Sequence, residues 1–321
     1  MTSATIGAAR LMARIVLLCR EPKLEDWLAG LFTRNAPHLQ VLRPGEEGAE
    51  QAEVAVCWYP AAGSLGRLPA LRLIHSIGSG VDHLEHDPSR PGSIPVCRVV
   101  DPDHSQGMAE YVHWGVLHFH RGFDQVLNGR QSQKWLRPVQ RTARDFKVGV
   151  MGLGSIGTPV ASRLAQAGYT VRGWARTARE LPAVATFAGD ASLPEFLDGL
   201  DLLVNLLPLT PATRGLLDHV VFARMAEGAA LINCGRGEHV EESHLLEALA
   251  SGQLRGALLD VFAEEPLHRS SPLWQAPGVW VTPHMASAAS DACIASQIAD
   301  NLERLNAGLP LNNQVDAELG Y

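Results

Sequence analysis

Residues 147–157 constrain the fold of this chain more than any other segment, and they read KVGVMGLGSIG. An apolar, β-rich run leads there into a Gly-x-Gly-x-x-Gly turn, and a helix-like segment follows over residues 158–167. The first glycine permits a tight turn, the second lets a pyrophosphate approach the backbone, and the third lets the helix pack closely on the strand. The N–H groups at the start of the helix then face the phosphates. The segment therefore predicts a dinucleotide-binding site, formed by Gly152, Gly154, Ser155, Ile156 and Gly157.

The position that usually binds the adenosine ribose carries no carboxylate in this chain. An acidic residue about 20 residues beyond the glycine turn normally accepts a hydrogen bond from the ribose 2′-hydroxyl. Here the second strand, over residues 170–174, is followed by Ala175, Arg176 and Thr177. A carboxylate would repel a 2′-phosphate, whereas a guanidinium binds it bidentately. Arg176 therefore predicts that NADP(H) is preferred over NAD(H); the alternative is an exposed arginine in a surface loop.

Length and composition predict two globular domains and disfavour several partners. The chain has 321 residues, enough for two domains, and its net charge of −7 argues against nucleic acid or an anionic membrane as a partner. Its five cysteines form no Cys-x-x-Cys pair and no metal-ligand spacing, so we expect no metal site and a reducing cytoplasm. The apolar run at residues 15–19 is too short to span a bilayer.

The order of the predicted elements indicates an α/β fold in both halves of the chain. A helix-like stretch at residues 24–34 lies among four strand-like runs at residues 14–19, 54–58, 71–75 and 96–100. Residues 108–123 predict a long helix that leads into the second half. Beyond the glycine turn, buried strands are predicted at residues 202–206, 229–233, 257–261 and 279–282. We therefore expect two Rossmann-like or flavodoxin-like domains with parallel sheets. A last helix, with apolar residues at helical spacing from Ile294 to Leu305, should pack on one of them.

Three charged or titratable side chains lie at or just after strands of the second half, where open α/β sheets place their ligands. Arg236 follows the strand at residues 229–233, Glu265 follows the next one, and His284 follows the last. An arginine can bind a substrate carboxylate and polarise a ketone, and an imidazolium can give a proton to the oxygen as hydride arrives. A carboxylate beside the histidine favours its charged form. Each residue alone is typical of a surface position, but together they favour reduction of a 2-oxo acid.

Several motifs, taken together, resemble the D-isomer-specific 2-hydroxyacid dehydrogenase family. They appear in the family's order as GSGVD, the glycine turn, NCGRG, DVF with EP, and TPH, at residues 78–82, 152–157, 233–237, 260–266 and 282–284. Within the family the chain is most similar to the glyoxylate and hydroxypyruvate reductases, on the segments at residues 56–58, 174–177, 205–208, 271–275 and 314–321. Gly235 departs from the family pattern, which more often has Ala or Ser beside the arginine, and Met285 after the histidine is unusual.

The resemblance implies a discontinuous substrate-binding domain, residues 1–104 with 286–321, and a dinucleotide-binding domain at residues 105–285. The active site would lie in the cleft between the two domains. The family also implies a homodimer.

The resemblance also implies roles for individual residues. Arg236 would bind the substrate carboxylate, His284 would be the acid/base, and Glu265 would be its partner. Main-chain N–H groups of the 78–80 loop would hold the other side of the carboxylate, and Asp260 would accept a hydrogen bond from the nicotinamide carboxamide. The loop residues implied are Gly78, Ser79 and Gly80 for the substrate, and Leu207, Pro208, Thr213 and Cys234 for the cofactor path.

Two tryptophans bear on the size of the substrate. Trp58, near the end of its strand, would wall the pocket and favour small acids; the alternative is packing between sheet and helix. Trp135 resembles a loop residue that related reductases extend into a neighbouring subunit's cleft; the alternative is a loop tryptophan that packs locally.

The function implied is NADPH-dependent reduction of small 2-oxo acids, glyoxylate to glycolate and hydroxypyruvate to D-glycerate. One alternative is the same chemistry on a bulkier 2-oxo acid. A second, of a different class, is a dinucleotide-sensing binding protein with little turnover. Measured turnover separates the two classes.

Overall fold

The structure, a computed structural model, describes residues 13–131, 133–316 and 319–320. These residues form two compact units. The first comprises the described residues up to Asp101 and those from Ala289 onward, and the second is Pro102–Ala288. The family resemblance predicts these two boundaries three residues away, at 104/105 and 285/286. None of the described helices is both long and apolar enough to cross a membrane.

The first unit contains a five-stranded parallel sheet. Its strands are β1 (Arg14–Cys19), β2 (Gln40–Leu42), β3 (Val54–Trp58), β4 (Leu73–Ser76) and β5 (Val96–Cys97), and α1 (Pro22–Asn35) follows β1. The strand order β2-β1-β3-β4-β5 is that of flavodoxin-like folds. Alternate residues along each strand face opposite sides, so Ile15 and Leu17 belong to one core while Val16 and Leu18 belong to the other.

The second unit contains a seven-stranded parallel sheet. Its strands are β6 (Lys147–Met151), β7 (Thr170–Ala175), β8 (Val184–Ala188), β9 (Leu202–Asn205), β10 (Ala229–Asn233), β11 (Leu254–Leu259) and β12 (Val279–Val281). Its helices are α2 (Pro102–His120), α3 (Phe123–Gln131), α4 (Gly157–Gln166), α5 (Leu193–Leu197), α6 (His219–Arg224) and α7 (Glu242–Ser251). The order β12-β11-β10-β9-β6-β7-β8 reverses direction between β9 and β6, which is the doubly wound pattern that binds ligands at the carboxyl edge of the sheet.

Helices cover both faces of this second sheet. Helices α2 and α4 pack on one face, where Val112, Val116 and Val160 are fully buried. Helices α5, α6 and α7 pack on the other, through side chains such as Phe196 and Phe222. Because both faces are buried, the central strands are apolar except at their ends, which is why they could be predicted from the sequence.

The chain returns to the first unit through α8 (Asp291–Ala307). The Ser290 hydroxyl caps the start of this helix by accepting a hydrogen bond from the Cys293 N–H, and Gly308 ends it at φ 66°. Its apolar face, which includes Ile298 and Leu302, packs in the core that contains α1. The predicted terminal helix therefore belongs to the first unit.

Candidate active site

His284 and Glu265 form a hydrogen-bonded pair in the second unit. His284 follows β12, and its Nδ1 lies 2.8 Å from Glu265 Oε2. The other oxygen of Glu265, Oε1, accepts a hydrogen bond of 2.9 Å from the Phe262 N–H. Because an ionised carboxylate can only accept, Nδ1 of His284 carries the hydrogen. The opposite ring nitrogen, Nε2, is therefore the one that gains or loses a proton.

The surroundings of Glu265 keep its carboxylate charged. Burial by itself would raise the pKa of Glu265, but hydrogen bonds from His284 and from the Phe262 N–H lower it. The charges of His284 and Arg236 act in the same direction, and the resulting pKa lies below the ordinary value for glutamate. Arg236 is thus close enough to the pair to influence it electrostatically, and the three predicted catalytic residues share one site.

A buried carboxylate holds the turn that carries His284. Asp260 is 2% exposed, and its two oxygens accept hydrogen bonds from the Thr282 hydroxyl and from the N–H groups of Met285 and Ala286, at 2.7, 2.9 and 3.0 Å. The Asp260 carbonyl also accepts from the His284 N–H at 2.8 Å. His284 itself adopts φ 51°, a left-handed conformation that a non-glycine residue rarely takes. Asp260 therefore fixes the backbone from which the imidazole projects.

Two buried asparagines shape the loop that carries Arg236. Asn205 and Asn233, both fully buried, end the neighbouring strands β9 and β10, and their side chains are joined by a hydrogen bond of 2.9 Å. The Asn233 amide donates to the Arg236 carbonyl at 3.0 Å, and its oxygen accepts from the Gly235 N–H at 3.2 Å. The amide pair thus satisfies the main chain where it leaves the sheet and turns toward Arg236.

The loop that contains Arg236 touches the loop that leads to Glu265. A Cβ placed on Gly237 would lie 1.9 Å from the carbonyl carbon of Phe262 and 2.0 Å from the Ala263 nitrogen. No side chain fits in that space, so only glycine allows the two backbones to approach. The spacing of Arg236 and Glu265 therefore depends on Gly237.

The glycine turn after β6 has the geometry that a dinucleotide pyrophosphate requires. Gly152 has φ 93°, and a Cβ on Gly157 would lie 1.7 Å from the Gly152 carbonyl oxygen, so neither position tolerates a side chain. A Cβ on Gly154 would meet nothing within 4 Å, which leaves that face of the turn open to a ligand. Helix α4 begins at Gly157 without a side-chain cap in the part of the chain that the structure describes. The turn therefore fits the phosphates of a dinucleotide.

Arg176 and Thr177 lie at the carboxyl end of β7, beside the glycine turn. Trp174 of β7 pairs with Met151 of β6, and both Arg176 and Thr177 are exposed. Ala175, at the position of the missing carboxylate, is 8% exposed. The edge where an adenosine ribose would lie thus presents a guanidinium and no acidic side chain.

The remaining residues predicted for the cofactor path lie at the ends of β9 and β10. Leu207 and Cys234 are buried, and burial raises the pKa of the Cys234 thiol well above its ordinary value, so the thiol is uncharged. The Thr213 hydroxyl donates to the Pro208 carbonyl at 2.8 Å and accepts from the Thr210 N–H at 2.9 Å. Thr213 therefore organises the 208–213 loop through its own hydroxyl.

The residues predicted for substrate binding in the first unit also lie together. Trp58 ends β3, and its ring lies against Gly78, where a Cβ would be 2.8 Å from the indole. The Ser76 hydroxyl donates to the Gly80 carbonyl at 2.9 Å, and the Ser79 hydroxyl donates to the Val99 carbonyl at 3.1 Å. Trp58 is only partly buried, so its ring both packs in the core and borders the 78–80 loop.

Trp135 lies in the second unit, in the segment that follows α3, and it is 98% exposed. Within this chain the indole therefore has almost no packing, and the alternative that it packs locally receives no support from its own subunit.

These observations can be set beside known proteins. The protein-family model described as the D-isomer specific 2-hydroxyacid dehydrogenase, NAD binding domain, matches residues 114–286, which is more than half of the chain. The chain belongs to this family. The resemblance recognised from the motifs is confirmed.

Individual members of the family match nearly the whole chain. Glyoxylate/hydroxypyruvate reductase A of Serratia proteamaculans is 40% identical over 305 residues, which cover 92% of this chain and 96% of the relative. A D-isomer specific 2-hydroxyacid dehydrogenase from Xanthobacter autotrophicus, solved in complex with NADPH and MES, is 40% identical with a TM-score of 0.90, covering 97% and 100% of the two chains. An NADPH-dependent glyoxylate/hydroxypyruvate reductase from Sinorhizobium meliloti, in complex with NADP and sulfate, is 33% identical with a TM-score of 0.88, covering 96% and 100%. The predicted α/β fold class is confirmed.

Sequence reasoning missed the polar residues that support this dehydrogenase site. They are Tyr111, Asn205, Asn233, His239 and Thr282. A visible signal existed for the two asparagines, since each ends an otherwise apolar strand. The sequence assigned no role to the other three, since Tyr111 and Thr282 pair with residues 171 and 22 positions away and His239 reaches Pro208, 31 positions away. Among the described residues no group of three or more His, Cys, Asp or Glu side chains could hold a metal ion.

Proposed function

We propose that this NADP-dependent 2-hydroxyacid dehydrogenase reduces small 2-oxo acids, with glyoxylate and hydroxypyruvate as its substrates and glycolate and D-glycerate as products. The observation that carries the proposal is the His284–Glu265 pair with the charge of Arg236 beside it, in the same unit as the glycine turn. A binding protein would need the glycine turn but has no use for an acid/base pair.

The chain's own residues supply binding and the proton. NADPH, when bound, would supply the hydride for the carbonyl carbon next to the carboxylate. The Arg236 guanidinium binds the substrate carboxylate and draws electron density toward the carbonyl oxygen. The imidazolium of His284 then gives the proton on Nε2 to that oxygen, which leaves a neutral imidazole and a hydroxyl group. Glu265, held through Nδ1, stabilises the charged form of the ring and fixes its orientation.

The preference for NADP(H) is supported by the exposed Arg176 beside the buried Ala175. The relatives from Xanthobacter autotrophicus and Sinorhizobium meliloti, whose structures hold NADPH and NADP, agree with it. We expect Arg176→Ala to raise the KM for NADPH by roughly tenfold or more and to leave the KM for NADH nearly unchanged. Arg179→Ala, which removes an exposed arginine from the same loop, is the control. Equal changes for the two cofactors would contradict the assignment.

The choice of small acids is supported by the names of the relatives and by Trp58, whose ring borders the 78–80 loop. Initial rates with NADPH against glyoxylate, hydroxypyruvate, pyruvate and phenylpyruvate test it. The highest kcat/KM is expected for the first two. A preference for phenylpyruvate would keep the mechanism and discard the role of Trp58. Tight NADPH binding without turnover on any acid would favour the binding protein.

A homodimer is supported by an apolar surface on α3 and the segment after it. Its exposed side chains are Phe123, Val126, Leu127, Trp135, Leu136 and Val139. Contiguous apolar surface of this kind is typical of interfaces, and a second copy of the chain is the partner we propose. We expect a dimer mass in light scattering of the wild type. Trp135→Ala is expected to weaken the dimer and to change the order of preference among the 2-oxo acids; a monomeric wild type contradicts the proposal. The cytoplasmic location stays a prediction.

A further inference from the structure

His239 is fully buried and lies three residues beyond Arg236, at the end of a single 3-10 turn over Gly237–His239. Its Nδ1 is 2.9 Å from the main-chain nitrogen of Arg236. Its Nε2 is 3.2 Å from the carbonyl oxygen of Pro208, on the loop that follows β9. One ring therefore links the backbone of Arg236 to a loop that is predicted to bind the cofactor.

The two partners of the ring fix its tautomer. Nδ1 lies 2.9 Å from the main-chain nitrogen of Arg236 and 3.1 Å from the carbonyl oxygen of the same residue. The nearer group, the N–H, can only donate, so Nδ1 accepts from it and carries no hydrogen. The Pro208 carbonyl can only accept, so Nε2 carries the hydrogen and donates it. His239 is thus a neutral imidazole whose two nitrogens have opposite hydrogen-bonding roles, which makes the roles separable by substitution.

The Pro208 carbonyl accepts hydrogen bonds from residues of two different loops. It accepts from the Thr213 hydroxyl at 2.8 Å as well as from His239. On the other side, the Arg236 carbonyl is held by the Asn233 amide at 3.0 Å while the Arg236 N–H is held by His239. The peptide groups on both sides of the Arg236 Cα are therefore fixed, and the guanidinium itself donates to the Gly235 carbonyl at 2.8 Å.

The same ring accounts for the departure from the family pattern at residue 235. A Cβ on Gly235 would lie 3.0 Å from His239 Nδ1, 3.1 Å from its Cε1 and 2.8 Å from the Asn205 amide nitrogen. A methyl group there presses on the face of the imidazole and on the asparagine pair at once. Glycine at residue 235 leaves the ring the space it occupies.

We propose that His239 is a positioning residue with two separate functions, a proposal that rests on the function proposed above. Its Nδ1 places the Arg236 backbone so that the guanidinium meets the substrate carboxylate. Its Nε2 places the Pro208 segment against the cofactor. Neither nitrogen touches the reacting atoms.

Two conservative variants separate the functions. Counted along the side chain, the amide oxygen of Asn occupies the place of Nδ1, and the amide nitrogen of Gln occupies the place of Nε2. His239→Asn therefore keeps the acceptor for the Arg236 N–H and loses the donor to Pro208, and His239→Gln does the reverse. His38, an exposed histidine of the first unit, provides the same two substitutions as matched controls.

The measurements are the KM for glyoxylate in steady-state reduction and the Kd for NADPH from fluorescence titration. Losing the partner of a buried main-chain group predicts that His239→Gln raises the KM for glyoxylate about tenfold and changes the Kd for NADPH less than about twofold. His239→Asn is expected to raise the Kd for NADPH by a similar factor with little effect on the KM for glyoxylate. The His38 variants should match the wild type in both.

Other results overturn the proposal. Folded Asn and Gln variants that change the same constant by the same factor, or that change neither, show that the two nitrogens have no separate roles. If both variants fail to fold, Gly235→Ala replaces them, because it displaces an intact His239; an unchanged KM for glyoxylate in that variant refutes the positioning of Arg236. A wild type without turnover on any 2-oxo acid refutes the proposed function instead, and the NADPH titration of His239→Asn still decides the part that concerns Pro208.

Discussion

Replacing Glu265 by Gln removes one negative charge from the site and leaves a side chain of the same shape. The amide oxygen still accepts one of the two hydrogen bonds, the amide nitrogen cannot accept the other, and the Coulombic attraction to the imidazolium of His284 is lost. Two unit charges about 4 Å apart attract by about 1 kcal/mol in water and about 4 kcal/mol near a protein surface. The side chains of His284 and Glu265 are 37% and 33% exposed, so solvent screens the pair and the lower half of that range applies. We take about 1–2 kcal/mol as the attraction that the variant loses, which corresponds to about a tenfold loss of kcat/KM at neutral pH.

The assay is kcat/KM for glyoxylate reduction with NADPH across pH. Reduction needs the proton on His284, so losing the carboxylate charge that attracts it should lower kcat/KM about tenfold at neutral pH. The pKa of Glu265 lies below its ordinary value, so the wild type keeps its carboxylate through neutral and mildly acidic pH. The two profiles should therefore converge only in acid, where the wild-type carboxylate also becomes protonated.

Glu264→Gln, a change of an exposed neighbour in the same loop, controls for the loss of one charge. A Glu265→Gln profile that superimposes on the wild type would refute the claim that the glutamate acts through the charge of His284. A uniform loss of rate at all pH values would also refute it, because that result reports a change of geometry.

Two further predictions concern the backbone around the sites. The Asp87 carboxylate is 1% exposed; burial alone would raise its pKa, but three main-chain N–H groups and the Ser89 hydroxyl lower it from 3.8 to about 2. The depressed pKa stabilises the folded state by about 2 kcal/mol above pH 4, and this contribution disappears as the pH falls toward 2. Asp87→Asn should therefore lower the free energy of unfolding in urea by about 2 kcal/mol at pH 7 and make it depend less on acid. An unchanged urea midpoint would contradict this expectation. Gly237→Ala should reduce kcat/KM about a hundredfold or more, because the Cβ would overlap the backbone of Phe262; near wild-type rates with glyoxylate would show that the two loops separate freely.

The central strands of the fold could be predicted from the sequence, whereas the edge strands β2 and β8 could not. Residues 54–58 and 229–233 are strands with the predicted bounds, because a strand covered on both faces is a nearly continuous apolar run. Strand β8 was not predicted. It is the edge strand beside β7, and Thr186 interrupts its apolar sequence after two residues, so no continuous apolar run marks it. Strand β2 has only three residues, too few for a pattern to be visible.

For the candidate site, the polar residues at strand ends could be found from the sequence, but their connections could not. His239 and Pro208 lie 31 positions apart, and Asn205 and Asn233 lie 28 apart. These pairs meet because β9 and β10 are neighbours in the sheet. Strand order is a property of the whole unit, so contacts that depend on it leave no local trace in the sequence.

The backbone of His284 shows why the catalytic ring depends on residues that touch no substrate. A left-handed conformation at a non-glycine residue costs of the order of 1 kcal/mol, so an isolated segment with this sequence would not hold it. In the folded unit the neighbouring N–H groups of Met285 and Ala286 both donate hydrogen bonds to the buried carboxylate of Asp260. Asp260 also accepts a hydrogen bond from the Thr282 hydroxyl, which in turn is hydrogen-bonded to the Tyr111 hydroxyl of α2. The direction of the imidazole is thus set by one carboxylate whose hydrogen bonds form only when the turn is left-handed. The acid/base function proposed for His284 therefore depends on the packed sheet edge, and the Thr-Pro-His motif alone does not provide it.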